Sequence, residues 1–388
     1  MDDGTQKIAD ARGPRLGDLG FNIVGIEVDN RCNMACTFCP LPIRKADEAS
    51  LDLDDVRRIL DQVVADGTAN LVAFHQFNEP LLYPHIWECL DMAHERELRT
   101  LLITNGATLN RRTIDKLLEH APTMLRISAQ YVKERHHNEI RGYKGTFATY
   151  IDGVAACLAA LIDRPHRIGE TQCDLAITQK IMGWRAKLSV ALGMRDHGDP
   201  TIFDETPQSM KGALADFLKL IEAKSDTFTY DPAQHEANIG AFQDAFRGTF
   251  DTAYRLSDNV VIAYKQFHNG RRIRDYYPIE YGQCRNSNLA VLANGDVTIC
   301  CYDYEGFTAI GNIKRDPLSR ILADGRAVVE NLRKGGRIHC HGCKTCLGSP
   351  TRFGAAVRSA RNFVRFGGDS ATRPMPPTPT FRTLRDEP

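Results

Sequence analysis

Between residues 21 and 178 the chain alternates short apolar runs with helical periods, and this alternation constrains the fold more than any other feature. Strands are expected over 21–28 (FNIVGIEV) and near 70–76, 98–103, 124–129 and 171–178. Helices fall between them, at 53–66, 85–96, 111–120 and 146–162. In the first helix Leu53, Val56, Leu60, Val63 and Val64 recur at helical spacing. Strands separated by helices pair in parallel with the helices outside. The successive crossovers predict an α/β fold, a barrel or partial (β/α) barrel, whose site lies at the C-terminal ends of its strands.

After residue 180 the regularity stops. Residues 208–224 and 232–250 read as helices, and a strand resumes at 259–264. The stretch 181–257 is expected to be a mainly helical insertion, a lid; the competing reading makes part of it ordinary barrel elements. Two apolar runs over 289–300 flank Asn294-Gly295, the pair favoured in a type I′ hairpin turn. From about 367 the chain is rich in Pro, Thr and Arg and is expected to be disordered. The expected organisation is an N-terminal extension (1–20), the barrel (21–283), a small hairpin-plus-helix domain (284–350) and a C-terminal extension (351–388).

Lysine plus arginine equals aspartate plus glutamate, 49 each in 388 residues. That balance points away from nucleic acid and anionic membrane surfaces as partners. No apolar run is long enough to span a bilayer, and the acidic start MDDGTQKIADARG lacks a signal core. A cytoplasmic location is expected, where thiols stay reduced. Most of the twelve cysteines are grouped, and grouped thiols in a reducing compartment read as metal or cluster ligands.

Cys32, Cys36 and Cys39 form CNMACTFC directly after the first strand. Three thiolates can hold three irons of a [4Fe–4S] cluster and leave the fourth open to bind something. A zinc site more often shows paired CxxC halves or histidines. The second group comprises Cys284, Cys300, Cys301, Cys340, Cys343 and Cys346, with Cys300 closing the hairpin and CHGCKTC following it. Cys89 and Cys157 fall within helices and are expected in the core; Cys173 lies on the fifth strand.

CNMACTFC and its surroundings, from about 21 to 178, resemble the radical S-adenosylmethionine (SAM) superfamily. The resemblance implies that Phe38 packs near the SAM adenine. It sets Phe77-Asn78-Glu79-Pro80 at the family's Gly-Gly-Glu-Pro-like position, whose backbone holds the SAM amino group; the two glycines are replaced here, and Asn78 and Glu79 are the candidate contacts. Thr104 and Asn105, in TNG, end the third strand as is frequent in the family. Ser128 and Gln130 match positions that bond the SAM ribose or carboxylate, Arg141 matches an arginine that grips the carboxylate, and Ile177 is a candidate adenine contact. Residues 284–347, including Gly311-Asn312-Ile313, resemble the twitch or SPASM extension. That likeness implies one auxiliary [4Fe–4S] cluster on Cys284, Cys300, Cys343 and Cys346, with Cys301 or Cys340 as alternates, in a domain able to cap the open face of the barrel.

The resemblance also implies reductive cleavage of SAM and abstraction of a substrate hydrogen by the 5′-deoxyadenosyl radical, with an electron donor such as flavodoxin or ferredoxin. The expected substrate is a small biosynthetic molecule (a carbohydrate, aminocyclitol or nucleoside), oxidised or epimerised, with Cys301 and Cys173 as candidate hydrogen donors. A peptide substrate is the alternative. A non-catalytic iron–sulfur or zinc-binding protein is the alternative of another class.

Overall fold

The computed structural model describes residues 13–177, 188, 191–192, 206–245, 253–266 and 275–377. In chain order the elements are β1 (Ile23–Ile26), α1 (Leu53–Asp66), β2 (Leu71–Ala73), α2 (Ile86–His94), β3 (Arg99–Thr104), α3 (Arg111–Glu119), β4 (Met124–Gln130), α4 (Glu134–Arg141), α5 (Phe147–Ile162) and β5 (Glu170–Ile177). They continue with α6 (Pro207–Glu222), α7 (Pro232–Ala245), β6 (Ala253–Arg255), β7 (Val260–Gln266), β8 (Tyr281–Gly282), β9 (Asn288–Val291), β10 (Asp296–Thr298), β11 (Ala309–Asn312), α8 (Leu318–Lys334), β12 (Gly336–Arg337), α9 (His341–Cys346) and α10 (Arg352–Phe366).

Local chemistry sets the helix ends. The Asp52 carboxylate accepts the Asp55 N–H at 2.7 Å and starts α1, which Gly67 ends at φ +69°. Asn110 and Thr146 cap α3 and α5 in the same way.

Ten strands form one sheet in the order β11-β10-β9-β1-β2-β3-β4-β5-β7-β6. From β9 to β7 every neighbouring pair is parallel, and β10, β11 and β6 extend the edges in antiparallel fashion. Alternate residues divide between two faces. Val24, Val72, Leu102, Leu125, Ile127 and Ile262 join the main core. Ile23, Leu71, Ala73, Leu101 and Met124 form a separate apolar plug on the other face. Beyond the plug that second face turns polar, with Arg126 paired to Gln172 in the β4–β5 register.

Four expectations change. The helix Pro207–Glu222, assigned to the insertion or lid, buries Met210, Leu214, Phe217, Leu218 and Ile221 in the main core. It is a crossover element between β5 and β7, as the competing reading of this stretch has it, while residues 181–187, 189–190, 193–205 and 246–252 of the expected insertion lie outside the described ones. The β9–β10 hairpin joins the sheet beside β1, Ile23 pairing with Asn288 and Ile26 with Val291, instead of capping it. Its turn is not type I′. The Leu292 C=O accepts the Gly295 N–H at 2.8 Å and the Leu292 N–H donates to the Asp296 C=O at 2.8 Å. Gly295 has φ +91° but Asn294 is not left-handed, giving a three-residue connection that ends in a left-handed glycine. Asn294 is held by a bond from the Asp296 N–H at 3.0 Å. The tail from 367 is ordered through 377, because Arg373 Nη2 donates to the Gly368 C=O at 2.6 Å and the Phe366 C=O at 3.2 Å; residues 378–388 lie outside the described ones.

Candidate functional site

Cys32, Cys36 and Cys39 occupy the loop that leaves β1, and their thiols act electrostatically on one another. The Thr37 N–H donates to the Ile140 C=O at 2.9 Å, tying the loop to the end of α4. There Gly142 has φ +58°, and a Cβ on it would stand 2.9 Å from the Ala35 carbonyl oxygen. The cysteine loop therefore lies directly on the Gly142 backbone, where only glycine fits. Burial pushes the Cys39 thiol up to about 12, so a thiolate there needs a cation beside it.

Asn105 joins this loop to the strand ends. Its Nδ2 donates to Asn33 Oδ1 at 2.8 Å and lies 3.5 Å from Cys32 Sγ. Its N–H donates to Glu79 Oε2 at 2.6 Å, and Thr104 Oγ1 donates to Glu79 Oε1 at 2.8 Å. Glu79 also accepts the Leu81 N–H at 3.2 Å. Burial raises the Glu79 carboxyl to about 7 against the pull of these bonds. Glu79 is 1% exposed, so its side chain is a hub that fixes TNG beside the cysteine loop, not an open ligand contact. Asn78 Oδ1 accepts the Gln76 N–H at 3.0 Å.

The Asn105 C=O accepts from Arg141 Nη2 at 3.2 Å and from the Tyr150 hydroxyl at 3.0 Å. Arg141 is 2% exposed, and its Nε is buried without a partner. Gln130 ends β4 at φ +65°, a conformation that costs a non-glycine residue about 1–3 kcal/mol and concentrates at working ends of strands. Its Nε2 donates to Ser128 Oγ at 3.2 Å, while its Oε1 is buried and partnerless. Phe38 packs with Tyr131, Ile140 and Ala176. Ile177 ends β5, and its side chain lies outside the described ones.

Cys173 is corrected. The register pairs it with Ile127, so it is fully buried in the main core, away from the polar face, and burial holds its thiol protonated. This is the packing position that a cysteine on the fifth strand would take as a core residue. Cys89 and Cys157 are likewise core residues.

Two features escaped the sequence reading. Glu27 is fully buried and accepts Arg44 Nη1 at 2.8 Å and Nη2 at 3.1 Å. It also accepts the Ala293 N–H at 3.2 Å and the Phe77 N–H, joining β1, the cysteine loop, the loop after β2 and the hairpin. A lone glutamate inside FNIVGIEV was its only signal. The second is the polar face of β5, where Gln172 Nε2 donates to Asp174 Oδ1 at 2.6 Å. Every second residue of ETQCDLAI up to Asp174 is polar, which is the strand period.

The later cysteines gather beyond the hairpin. Cys284, Cys300, Cys343 and Cys346 lie within electrostatic reach of one another. The Asn286 N–H approaches Cys284 Sγ at 3.5 Å, and the Tyr302 N–H donates to Cys300 Sγ at 3.3 Å. Cys301 hydrogen-bonds Cys300. Cys340 Sγ donates to the Phe307 C=O at 3.4 Å and also hydrogen-bonds with Cys343, so it stands within the same group. Asp303 shapes the intervening loop by accepting the N–H groups of Gly306 at 2.9 Å and Thr308 at 2.6 Å. Gln76 Nε2 donates to the Cys300 C=O at 3.2 Å, and the Phe77 and Tyr304 rings meet edge-on at 5.5 Å, so the two cysteine groups share a contact network. Among the described residues no three Cys, His, Asp or Glu side chains close on one point as around a single ion.

The family model of the radical SAM superfamily matches residues 26–169, and that of an iron-sulfur cluster-binding domain, SPASM, matches 284–347; between them they take in more than half of the chain. The chain belongs to the radical SAM superfamily. The two domains imply SAM and [4Fe–4S] clusters as cofactors. Three thiols on one loop, with an Arg141 Nε beside them and a Gln130 Oε1 at the end of β4 that have no partner among the described residues, fit a cluster with one open iron and a polar ligand on it. A 123-residue segment is 32% identical to the PqqA peptide cyclase of Ruegeria pomeroyi, covering 31% of this chain and 32% of that protein. A 105-residue segment is 28% identical to the SAM-dependent 2-deoxy-scyllo-inosamine dehydrogenase of Niallia circulans, covering 26% and 42%. The chain spans between 32% and 58% of the length of the curated relatives it matches. Streptococcus suis SuiB, solved with its precursor peptide SuiA, shares the fold at a TM-score of 0.50 and 14% identity, over 81% of this chain and 66% of SuiB. Among the described residues no helix is long and apolar enough to cross a membrane.

Proposed function

We propose that this radical SAM enzyme dehydrogenates a small, polar biosynthetic molecule at a carbon carrying a hydroxyl or amine. Cys32, Cys36 and Cys39 would hold the SAM-binding cluster, and Cys284, Cys300, Cys343 and Cys346 the auxiliary one. When bound, the first supplies the electron that splits SAM and the second an acceptor for the electron that a substrate radical gives up. The observation that carries this reading is the bond from Gln76 to the Cys300 C=O, which links the second cysteine group to the loop after β2.

The chain's own residues bind and orient. Arg141 keeps one buried nitrogen for an acceptor, which suits the SAM carboxylate, and Phe38 offers a ring face for the adenine. Ser128 and Gln130 present hydroxyl and amide groups at the end of β4. Arg126, Gln172 and Asp174 on the polar face supply charge and hydrogen-bonding groups for hydroxyls or amines. An acidic one-electron carrier such as flavodoxin or ferredoxin would be the reductant, and the cytoplasm the compartment. The similarity to PqqA peptide cyclases supports a second reading, a peptide substrate.

Turnover in heavy water with a panel of aminocyclitols, sugars, nucleosides and precursor peptides, followed by mass spectrometry, tests the proposal. Dehydrogenation gives a product two hydrogens lighter with no solvent deuterium at the reacting carbon. An isomeric product carrying about one deuterium, lost in Cys301→Ala, would replace it with epimerisation by a thiol hydrogen donor. Turnover of peptides alone would move the substrate class to the second reading.

A further inference from the structure

Arg333 lies at the C-terminal end of α8, 5% exposed, with its guanidinium carbon 4.8 Å above the Phe21 ring. Its Nη2 is buried and has no hydrogen-bond partner among the described residues. The ionisable groups that act on it are the thiols of Cys284 and Cys301. The backbone fixes this proximity. The Cys284 N–H donates to the Leu332 C=O at 3.0 Å, and Gln283 Nε2 donates to the Arg333 C=O at 2.9 Å, so the last turn of α8 is stitched to the residues that carry the first thiol of the second group. A buried guanidinium without a counter-ion is destabilising, by more than its ring contact returns. Its cost is offset if an anion stands where those thiols point.

We propose that Arg333 is the counter-charge of the auxiliary cluster, a positioning residue that neutralises its thiolate cage and raises its reduction potential. The proposal rests on the reading of Cys284, Cys300, Cys343 and Cys346 as ligands. A [4Fe–4S] core with four thiolates is net negative and gains one more negative charge on reduction. A fixed cation beside it, away from water, stabilises the reduced form more than the oxidised one. The cluster thereby becomes a better acceptor for an electron leaving the substrate. A role confined to the helix end or to the Phe21 ring would place no demand on that potential.

The test uses the full chain carrying Cys32→Ala, Cys36→Ala and Cys39→Ala, so that iron reports the second site alone. After anaerobic reconstitution this parent should hold about four irons. Its midpoint potential is then followed by electron paramagnetic resonance during a redox titration, alone and with Arg333→Gln or Arg333→Lys added. The midpoint should move to more negative potential in Arg333→Gln and stay near the parent value in Arg333→Lys. Arg333→Gln with full iron and an unchanged midpoint overturns the proposal and leaves the ligand reading intact. If Arg333→Gln takes up no iron, a lysine variant with full iron and the parent midpoint supports the counter-charge; loss of iron in both refutes it. A parent without iron overturns the ligand reading itself.

Discussion

Asn105 shows how much of the first site hangs on single side chains. Its side chain reaches the cysteine loop, its N–H is held by Glu79, and its C=O gathers Arg141 and Tyr150. Arg141 is thus both a strut and a charge, which sets up the first prediction. Arg141→Ala should weaken SAM binding about tenfold to a hundredfold, the worth of a charge-assisted hydrogen bond of about 1.5–3 kcal/mol, while iron content holds; equilibrium binding of SAM to the reconstituted protein reads it. His137, one turn before Arg141, gives the second. It is fully buried, both ring nitrogens lack a hydrogen-bond partner among the described residues, and it packs on Tyr150 at 4.2 Å. Burial, with Arg141 nearby, lowers it from 6.5 to about 4. A histidine held neutral contributes stability that is present above 6.5 and lost as pH falls toward 4, up to about 3 kcal/mol. Urea denaturation of the cluster-free protein across that window should show the loss, and His137→Phe should flatten it. Neither Asn105's position nor the apolar packing around His137 can be read from TNG or HHNEIR, because both depend on what other elements bring up to them.

At the scale of elements, the strands and helices of the first half were legible wherever one face is apolar. Residues 53–66 read as a helix and fold as one, from Leu53 to Asp66, because Val56, Leu60 and Val63 bury together and Asp52 and Gly67 mark its ends. Helix α4 was missed because ERHHNEIR has a single aliphatic residue; packing of His137, Ile140 and Arg141, and not a stripe, holds it. The Asn-Gly pair correctly marked a hairpin, but hydrogen bonds from Asp296 chose another turn. Most consequential was the place of that hairpin, since a strand's partner in parallel pairing leaves little trace in local sequence. Glu27 and Arg44 hold the hairpin turn to β1 and the cysteine loop. Arg44→Met should therefore cost about 3–5 kcal/mol by stranding a buried carboxylate. The Glu27 carboxyl is already raised by burial, so protonation relieves the penalty and the loss should be smaller at pH 5 than at pH 8, as paired denaturation curves would reveal.

Over the whole molecule, one continuous sheet carries the radical SAM half and the auxiliary hairpin, and Gln76 ties the loop after β2 to the second cysteine group. The cysteine spacings made both groups visible in the sequence; that they share a sheet, and which face of β5 Cys173 takes, needed the strand register. Pro207–Glu222 looked like an insertion because the strand before it is followed by an irregular stretch, yet its apolar stripe completes the same core. The account's central claim is that the three thiols after β1 activate SAM. The direct measurement is 5′-deoxyadenosine formed by anaerobically reconstituted protein with SAM and dithionite, compared with Cys32→Ala, Cys36→Ala and Cys39→Ala. The account predicts product from the native sequence and none from any of the three; product retained in any one of them, or absent from the native protein at full iron loading, would contradict it.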